Sequence, residues 1–367
     1  MKNKRFKFVA WAICAVILTF SIAGCSTTSA TQPASQSVSA AASDKREITD
    51  MLGNKVKIPA KVNKVFCTSP IGTYIVYTLA PDKLLGWNSK MSYDELKYIS
   101  PKYKNLQVLG GTMGGQNTFN TEAITALSPD IILDFAYNGQ TSDMVTELGK
   151  QTGIPVVLMD SALKSTAASY RLLGKILGVE DRGNMLADYV QKSLDQTAAM
   201  VAKIPANKKV KIYYAESADG LKTDGNDSMH TEVINFVNAT NVVTMDTSTS
   251  GKGASVSMEQ VLKWNPDVIL VNSQMGGSNF LKTVYTDKTW ADVKAVQAKR
   301  IYVPASLPFG WFDRPPCIAR VIGVEWLAAK LYPDYVKVDL KSDVKNFYKT
   351  FYGVEITDAQ ADSLING

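Results

Sequence analysis

Apolar and polar positions change period along the chain, and one block of the pattern occurs twice. Residues 120–133 (NTEAITALSPDIIL) align without gaps on residues 257–270 (SMEQVLKWNPDVIL), at a single offset of 137 residues. Glu122 falls on Glu259, Pro129 on Pro266, Asp130 on Asp267 and Leu133 on Leu270. Each copy predicts a helix that stops and becomes a buried strand. Asn120 and Ser257 are residues that cap helix N-termini, and Ser257 with Gln260 has the spacing of a capping box. Proline disfavours helical geometry in the residue before it, so the helices are expected to end near Ser128 and Asn265. The apolar triplets at 131–133 and 268–270 suit a strand covered on both faces. Two copies are too few for a solenoid. They predict two similar α/β lobes, each carrying the unit once.

The rest of the pattern fills in those lobes. Residues 48–59 predict a hairpin turning at Gly53 and Asn54. Strands are expected at 62–67, 84–87, 107–109 and 156–159, with a helix over 73–79 between the first two. Strands alternating with helices argue a parallel sheet built from right-handed crossovers. Two helices follow, at 166–177 and 181–204. The second has Met185, Tyr189, Val190, Leu194, Ala198 and Val201 at helical spacing. It reads either as a strut between the lobes or as a surface helix packed on one of them. The second lobe then repeats the order, with strands at 210–214, 242–245 and 301–303 and helices at 229–237 and 318–332. Between the last strand and the last of these helices lies residues 305–316 (ASLPFGWFDRPP), a loop with three aromatic residues.

Length and charge narrow the class. At 367 residues, two domains are the natural division. The formal charge of +6 is misleading. Of 40 Lys and Arg, four (Lys2, Lys4, Arg5 and Lys7) lie in a leader without acidic residues, leaving 36 against 34 acidic residues. That balance gives no basis for a nucleic-acid partner. The leader continues with an apolar run at 8–20 and then Ser21, Ile22, Ala23, Gly24 and Cys25, the layout of a secretory signal. Small residues directly before a cysteine resemble a bacterial lipobox. The resemblance implies cleavage before Cys25, acylation there and attachment to the bacterial cell membrane, since several acyl chains anchor durably where one does not. Residues 26–43, rich in Ser, Thr, Ala and Gln, read as a flexible tether. Cys67 and Cys317 remain in the exported body, where they either form a disulfide or stand as two buried thiols.

The catalytic inventory is poor. There is one histidine, His230, and no G-x-S-x-G, H-E-x-x-H, C-x-x-C or Walker motif. Asp219, Asp224 and Asp227 lack the spacing of a calcium loop. A single histidine does not make a multi-histidine metal site, though it can complete the coordination of a metal already held by a chelator. In open α/β sheets, ligands bind beyond the carboxyl ends of the strands. Those ends lead here into Thr68 and Ser69, Trp87 and Asn88, Phe135 to Tyr137, Tyr214 to Glu216 and the 306–314 loop. Trp87, Tyr137, Tyr214 and Trp311 either pack against a planar ligand or belong to the cores, and Arg314 is placed to pair with anionic oxygens of a ligand.

The lipobox, the two E-x-x-x-x-x-x-P-D-[IV]-I-L units, the long central helix and the segment from Phe312 to Leu327 together resemble the substrate-binding proteins of ABC importers for iron–siderophores, haem and cobalamin. The resemblance implies two Rossmann-like α/β lobes joined by one long helix, with a metal chelate in the cleft between them. It brings Thr223 to Met229, and with them His230, near that cleft. It also implies that Glu122 and Glu259 dock a permease dimer and its ATPase. The division expected is a signal peptide at 1–24, an anchored tether at 25–45, a first lobe at 46–180, a connecting helix at 181–204 and a second lobe at 205–367. The function expected is capture of an iron complex by an extracytoplasmic, lipid-anchored monomer that is not an enzyme and carries no cofactor. Haem, cobalamin or another metal chelate is the alternative cargo. A metallocluster enzyme of related architecture would need more cysteines than Cys67 and Cys317. A binder of free zinc or manganese is opposed by the single histidine, and a surface interaction protein with a vestigial cleft is the remaining rival. Asn238 to Asn241 stands where the family has a glycine pair.

Overall fold

The computed structural model describes residues 44–113, 116–245 and 253–366. The leader, Cys25 and most of the tether lie outside the described residues. The body opens with the expected hairpin, β1 (Lys45–Thr49) paired antiparallel with β2 (Lys55–Pro59), turning through Gly53 at φ 87°. The first core strand, β3 (Val65–Cys67), is shorter than expected because the amides of Asn63 and Lys64 are taken by the Asp130 carboxylate at 2.6 and 2.9 Å. Helix α1 (Pro70–Leu79) starts three residues earlier than expected, with proline pre-set for a first helical turn. The strands expected at 84–87 and 107–109 shrink to single bridges, Leu84 to Val65 and Trp87 to Val108.

Helix α2 (Thr121–Leu127) leads into β4 (Ile131–Ala136), and β5 (Val156–Asp160) completes a parallel sheet of order β3-β4-β5. Helix α3 (Thr166–Leu177) turns through Gly178 into α4 (Glu180–Val201), whose 22 residues at ~1.5 Å each span roughly 33 Å. The two helices touch at glycines. A Cβ on Gly183 would lie 2.7 Å from the Tyr170 carbonyl oxygen and 2.9 Å from Gly174 Cα. Arg182 on α4 donates to Thr78 O at the end of α1 and to Thr350 O near the C-terminus, tying both segments to the long helix.

The second lobe has β6 (Lys211–Ala215), a short helix α5 (Glu232–Phe236) entered through a single turn at Met229–Thr231, and β7 (Thr240–Asn241). The strand expected at 242–245 sits at 240–241 instead, where the Thr240 amide donates to Val210 O. Asn238 supplies the turn at φ 60°, a conformation asparagine tolerates in place of glycine. Helix α6 (Met258–Trp264), β8 (Val268–Val271) and β9 (Ile301–Tyr302) follow, giving a parallel sheet of order β7-β6-β8-β9. Helix α7 (Arg320–Leu331) then runs beneath the 305–316 loop. At Gly323 an added Cβ would lie 1.6 Å from the Trp311 carbonyl oxygen, so the loop rests directly on the helix backbone.

The repeated block has one build in both lobes. Asn120 and Ser257 accept from Ala123 N and Gln260 N, at 3.1 and 3.2 Å. Ser128 and Asn265 end their helices at φ 51° and 43°. Ile124 and Val261 are each helix's buried residue. Asp130 and Asp267 then hold the neighbouring strand, Asp267 by accepting the Lys211 amide at 2.9 Å as Asp130 accepts those of Asn63 and Lys64. The main apolar core runs continuously from the first sheet through α3 and α4 to the second sheet and the C-terminal helices. Cys67 and Cys317 are buried free thiols. No helix among the described residues is long and apolar enough to cross a membrane.

Candidate ligand cleft

The carboxyl ends of both sheets face the same cleft, and the two walls differ in chemistry. On the first lobe, Thr68 follows β3 and donates to the buried Asp134 carboxylate, which Thr141 also meets at 2.6 Å. Asn88 is buried as a brace: its amide donates to Cys67 O at 2.9 Å and Gly110 O at 2.8 Å, while its oxygen accepts from Thr73. Ser69 is the N-cap of α1 but caps nothing, and its hydroxyl has no partner among the described residues. The first-turn amides of a helix have no intrahelical acceptor and carry the positive end of its dipole. This wall therefore offers hydrogen-bond donors without a formal charge.

The second lobe presents a buried ionic cluster. Arg314, held at φ 52° in the 305–316 loop, is enclosed by carboxylates from three different segments. Its Nε donates to Glu216 Oε1 at 2.7 Å, and its Nη2 lies 2.6 Å from the same oxygen and donates to Asp224 Oδ2 at 2.8 Å. Asp313 Oδ2 is 3.5 Å from Nε. His230 bridges the cluster, Nδ1 against Asp313 Oδ1 and Nε2 at 3.4 Å from Arg314 Nη1. Arg314 can only donate, so Nε2 accepts from it and Nδ1–H donates to Asp313. Tyr214 donates to Asp313 Oδ2 at 3.3 Å and accepts from Asn272 at 2.8 Å. Burial works against the Arg314 charge, but Asp313 and Glu216 outweigh it and hold the guanidinium protonated above its usual range.

The expected site residues divide into three groups. Tyr214, His230 and Arg314 meet in this one cluster. Ser69 and Asn88 lie on the opposite wall, and Tyr137 reaches across to donate to Asp227 O at 3.0 Å. Trp87 and Trp311 have no face to give a ligand. Trp87 is 3% exposed, packs on Tyr77 and donates to Tyr103 O, while Trp311 is fully buried where its loop rests on α7. Both nitrogens of His230 are engaged, so a metal bond would have to displace Arg314 or Asp313. Arg314 itself is paired by the protein's own carboxylates. Glu216, Asp224 and Asp313 lie in stretches expected at the cleft but were not read as partners of Arg314, because Glu216 and Asp224 have no sequence spacing that relates them to it. A further link joins the walls: Glu232 Oε2 accepts from Arg320 at 2.5 Å and from the Leu163 amide at 3.0 Å, and Arg320 also donates to Ser161 O. A small cavity of about 20 Å³, room for about one water, lies on the second wall, lined by Tyr214, Asn272, Gln274, Ser306, Phe312 and Asp313.

Two α/β lobes on one long helix, with a polar cleft at their strand ends, define a two-lobed solute-binding protein. Residues 65–306 match the periplasmic binding protein family, and the chain belongs to it. It is the solute-binding component of an ABC importer, an extracytoplasmic class. The chain is similar to an ABC transporter solute-binding protein from Sulfurospirillum deleyianum, at 30% identity and a TM-score of 0.79, over 87% of this chain and 98% of that one. It is similar to a periplasmic solute-binding protein from Veillonella parvula, at 25% identity and a TM-score of 0.70, over 88% and 97%. Among curated proteins it is 26% identical to the molybdate-binding protein MolA of Haemophilus influenzae, over 84% of this chain and 91% of that protein.

Proposed function

We propose that the solute is a compact oxyanion of the molybdate kind, which the protein captures outside the cytoplasm and hands to its ABC permease. The observation that carries this reading is the lining of the cleft. Trp87, Trp311 and Tyr214 are turned into the cores or the ionic cluster, so none of these three rings is offered to a haem or corrin. Small anions are bound instead by donors that have already shed water: the uncapped N-terminus of α1 with Ser69 on one wall, and Arg314 on the other. The similarity to a molybdate-binding protein over nearly its full length supports the same class of solute. An iron–siderophore complex, the cargo the family resemblance implies, is the second reading. Tyr137, half-buried at the cleft edge, favours it by offering part of a ring. Calorimetric titration with molybdate, tungstate, sulfate, a ferric catecholate, haem and cobalamin separates the two. Saturable heat from molybdate and tungstate is expected, and heat from the ferric complex alone would replace the oxyanion with iron.

The protein works as a monomer held to the membrane through Cys25, and mass spectrometry of the mature N-terminus is expected to find that cysteine acylated. Glu122 and Glu259, exposed in the first turns of α2 and α6, are the contacts for the permease dimer. Each also favours its own helix by about 0.3–1 kcal/mol. Exposed charges govern orientation and encounter more than affinity. The double change Glu122→Ala with Glu259→Ala is expected to keep solute affinity and abolish transport. Full transport by the double variant would leave helix capping as their only role.

A further inference from the structure

Three carboxyl groups share one guanidinium in the second wall, and all three are buried: Glu216 is 1% exposed, Asp224 0% and Asp313 6%. Arg314 Nη2 sits between Glu216 Oε1 and Asp224 Oδ2, at 2.6 and 2.8 Å, so the two carboxyls meet on one nitrogen. Their other oxygens, Glu216 Oε2 and Asp224 Oδ1, have no donor among the described residues. Two ionised carboxylates so placed repel each other, and each loses hydration. A proton held by the pair removes that repulsion.

The geometry points to Glu216 and Asp224 as the positioning pair of the cleft. We propose that they hold one proton between them, fix Arg314 from behind so that the Nη1 hydrogen not given to His230 is the one it offers the solute, and thereby link anion capture to protonation. The link to capture rests on the solute being an anion; the shared proton does not. The other groups that face Glu216 are Asp313 and Tyr214, with Tyr213 beside them on β6, and the Lys222 stem and Gly253 near Oε2. Burial is the largest influence on the Glu216 carboxyl, Arg314 opposes it, and Asp224 and Asp313 add to it, so that the group is pushed up to about 9. Loss of the proton places a further negative charge beside the Arg314 guanidinium, and anion affinity falls.

The test has two arms. In the solute-free protein, the folded Glu216 carboxyl titrates above its ordinary value of 4.5. The stability it contributes is therefore full below that value and is lost as pH rises through the folded value. Glutamine keeps the shape and cannot lose a proton. The melting temperature of Glu216→Gln is expected to gain on that of the parent as pH rises from about 5 to about 9, with no further gain beyond. Glu325, also pushed up by burial, to about 8, is present in both proteins and cancels. In the second arm, molybdate affinity of the parent is expected to fall by up to about tenfold per pH unit above Glu216's titration, while that of Glu216→Gln stays level. Glu216→Ala loses the brace behind Arg314 and binds more weakly at every pH, and the glutamine variant restores binding. Should the alanine variant fail to fold, the glutamine profile decides alone. Parallel melting profiles of parent and Glu216→Gln would overturn the shared proton. Molybdate binding with one level pH profile in both would overturn the link to capture and leave the oxyanion reading standing. A diverging melting profile without molybdate binding at any pH would do the reverse.

Discussion

The two walls of the cleft are built on the same scaffold and carry different chemistry. In each lobe a capped helix, a left-handed stop and a Pro-Asp step deliver a buried parallel strand, and an aspartate secures the strand beside it. At the strand ends the likeness stops. The first wall holds one buried acid, Asp134, engaged by Thr68 and Thr141, and is braced by the amide of Asn88, which is fully used by Cys67 O, Gly110 O and Thr73. The second wall concentrates Glu216, Asp224, Asp313, His230 and Arg314 in one buried group. The lesson is that the repeat fixes where the strands end, while the segments added after each strand fix what the solute meets. A wall built on an ionic cluster can respond to pH and to loss of one partner in a way a wall braced by an amide cannot.

The largest test of that contrast is Arg314→Ala. It leaves buried carboxylates without their cation and is expected to destabilise the protein by about 3–5 kcal/mol. The penalty should shrink as pH falls, because the orphaned carboxylates take up protons. Denaturant melts at neutral and acid pH check both statements, and a penalty independent of pH would mean that the cluster is not held by charge. Asn88→Ala is the matching change on the first wall. It strands buried hydrogen-bonding groups at a cost of about 1–3 kcal/mol, with the same loss expected at every pH. The smallest effect on stability is expected from Ser69→Ala, within about 0.5 kcal/mol, since the hydroxyl caps nothing. Its effect should appear in molybdate titrations as weaker binding. Unchanged affinity would remove the α1 N-terminus from the solute site.

Much of the scaffold was legible because local rules and the fold agree. Asn120, Ser257, Ser128 and Asn265 bound their helices as their chemistry dictates, and the hairpin turns at Gly53. The strand expected at 242–245 moved two residues because Val210 on the neighbouring strand, not local preference, receives the pairing amide. The aromatic residues were legible as belonging to the strand ends but not as to which way they face. Trp87 and Trp311 turn inward because their neighbours, Tyr77 and α7, complete the cores there. Arg314 and His230 were singled out, whereas the acids around them were not. Glu216, Asp224 and Asp313 are brought together only by tertiary structure, and no spacing in the sequence announces them.

The central claim is that a compact oxyanion sits between the uncharged donors of the first wall and Arg314. Anomalous diffraction from crystals grown with tungstate, a heavy congener of molybdate, tests it most directly. The account predicts a single strong peak in the cleft, within hydrogen-bonding reach of Arg314 Nη1 and facing the N-terminus of α1. A peak elsewhere on the surface, or an empty cleft under conditions that saturate binding in solution, would contradict it.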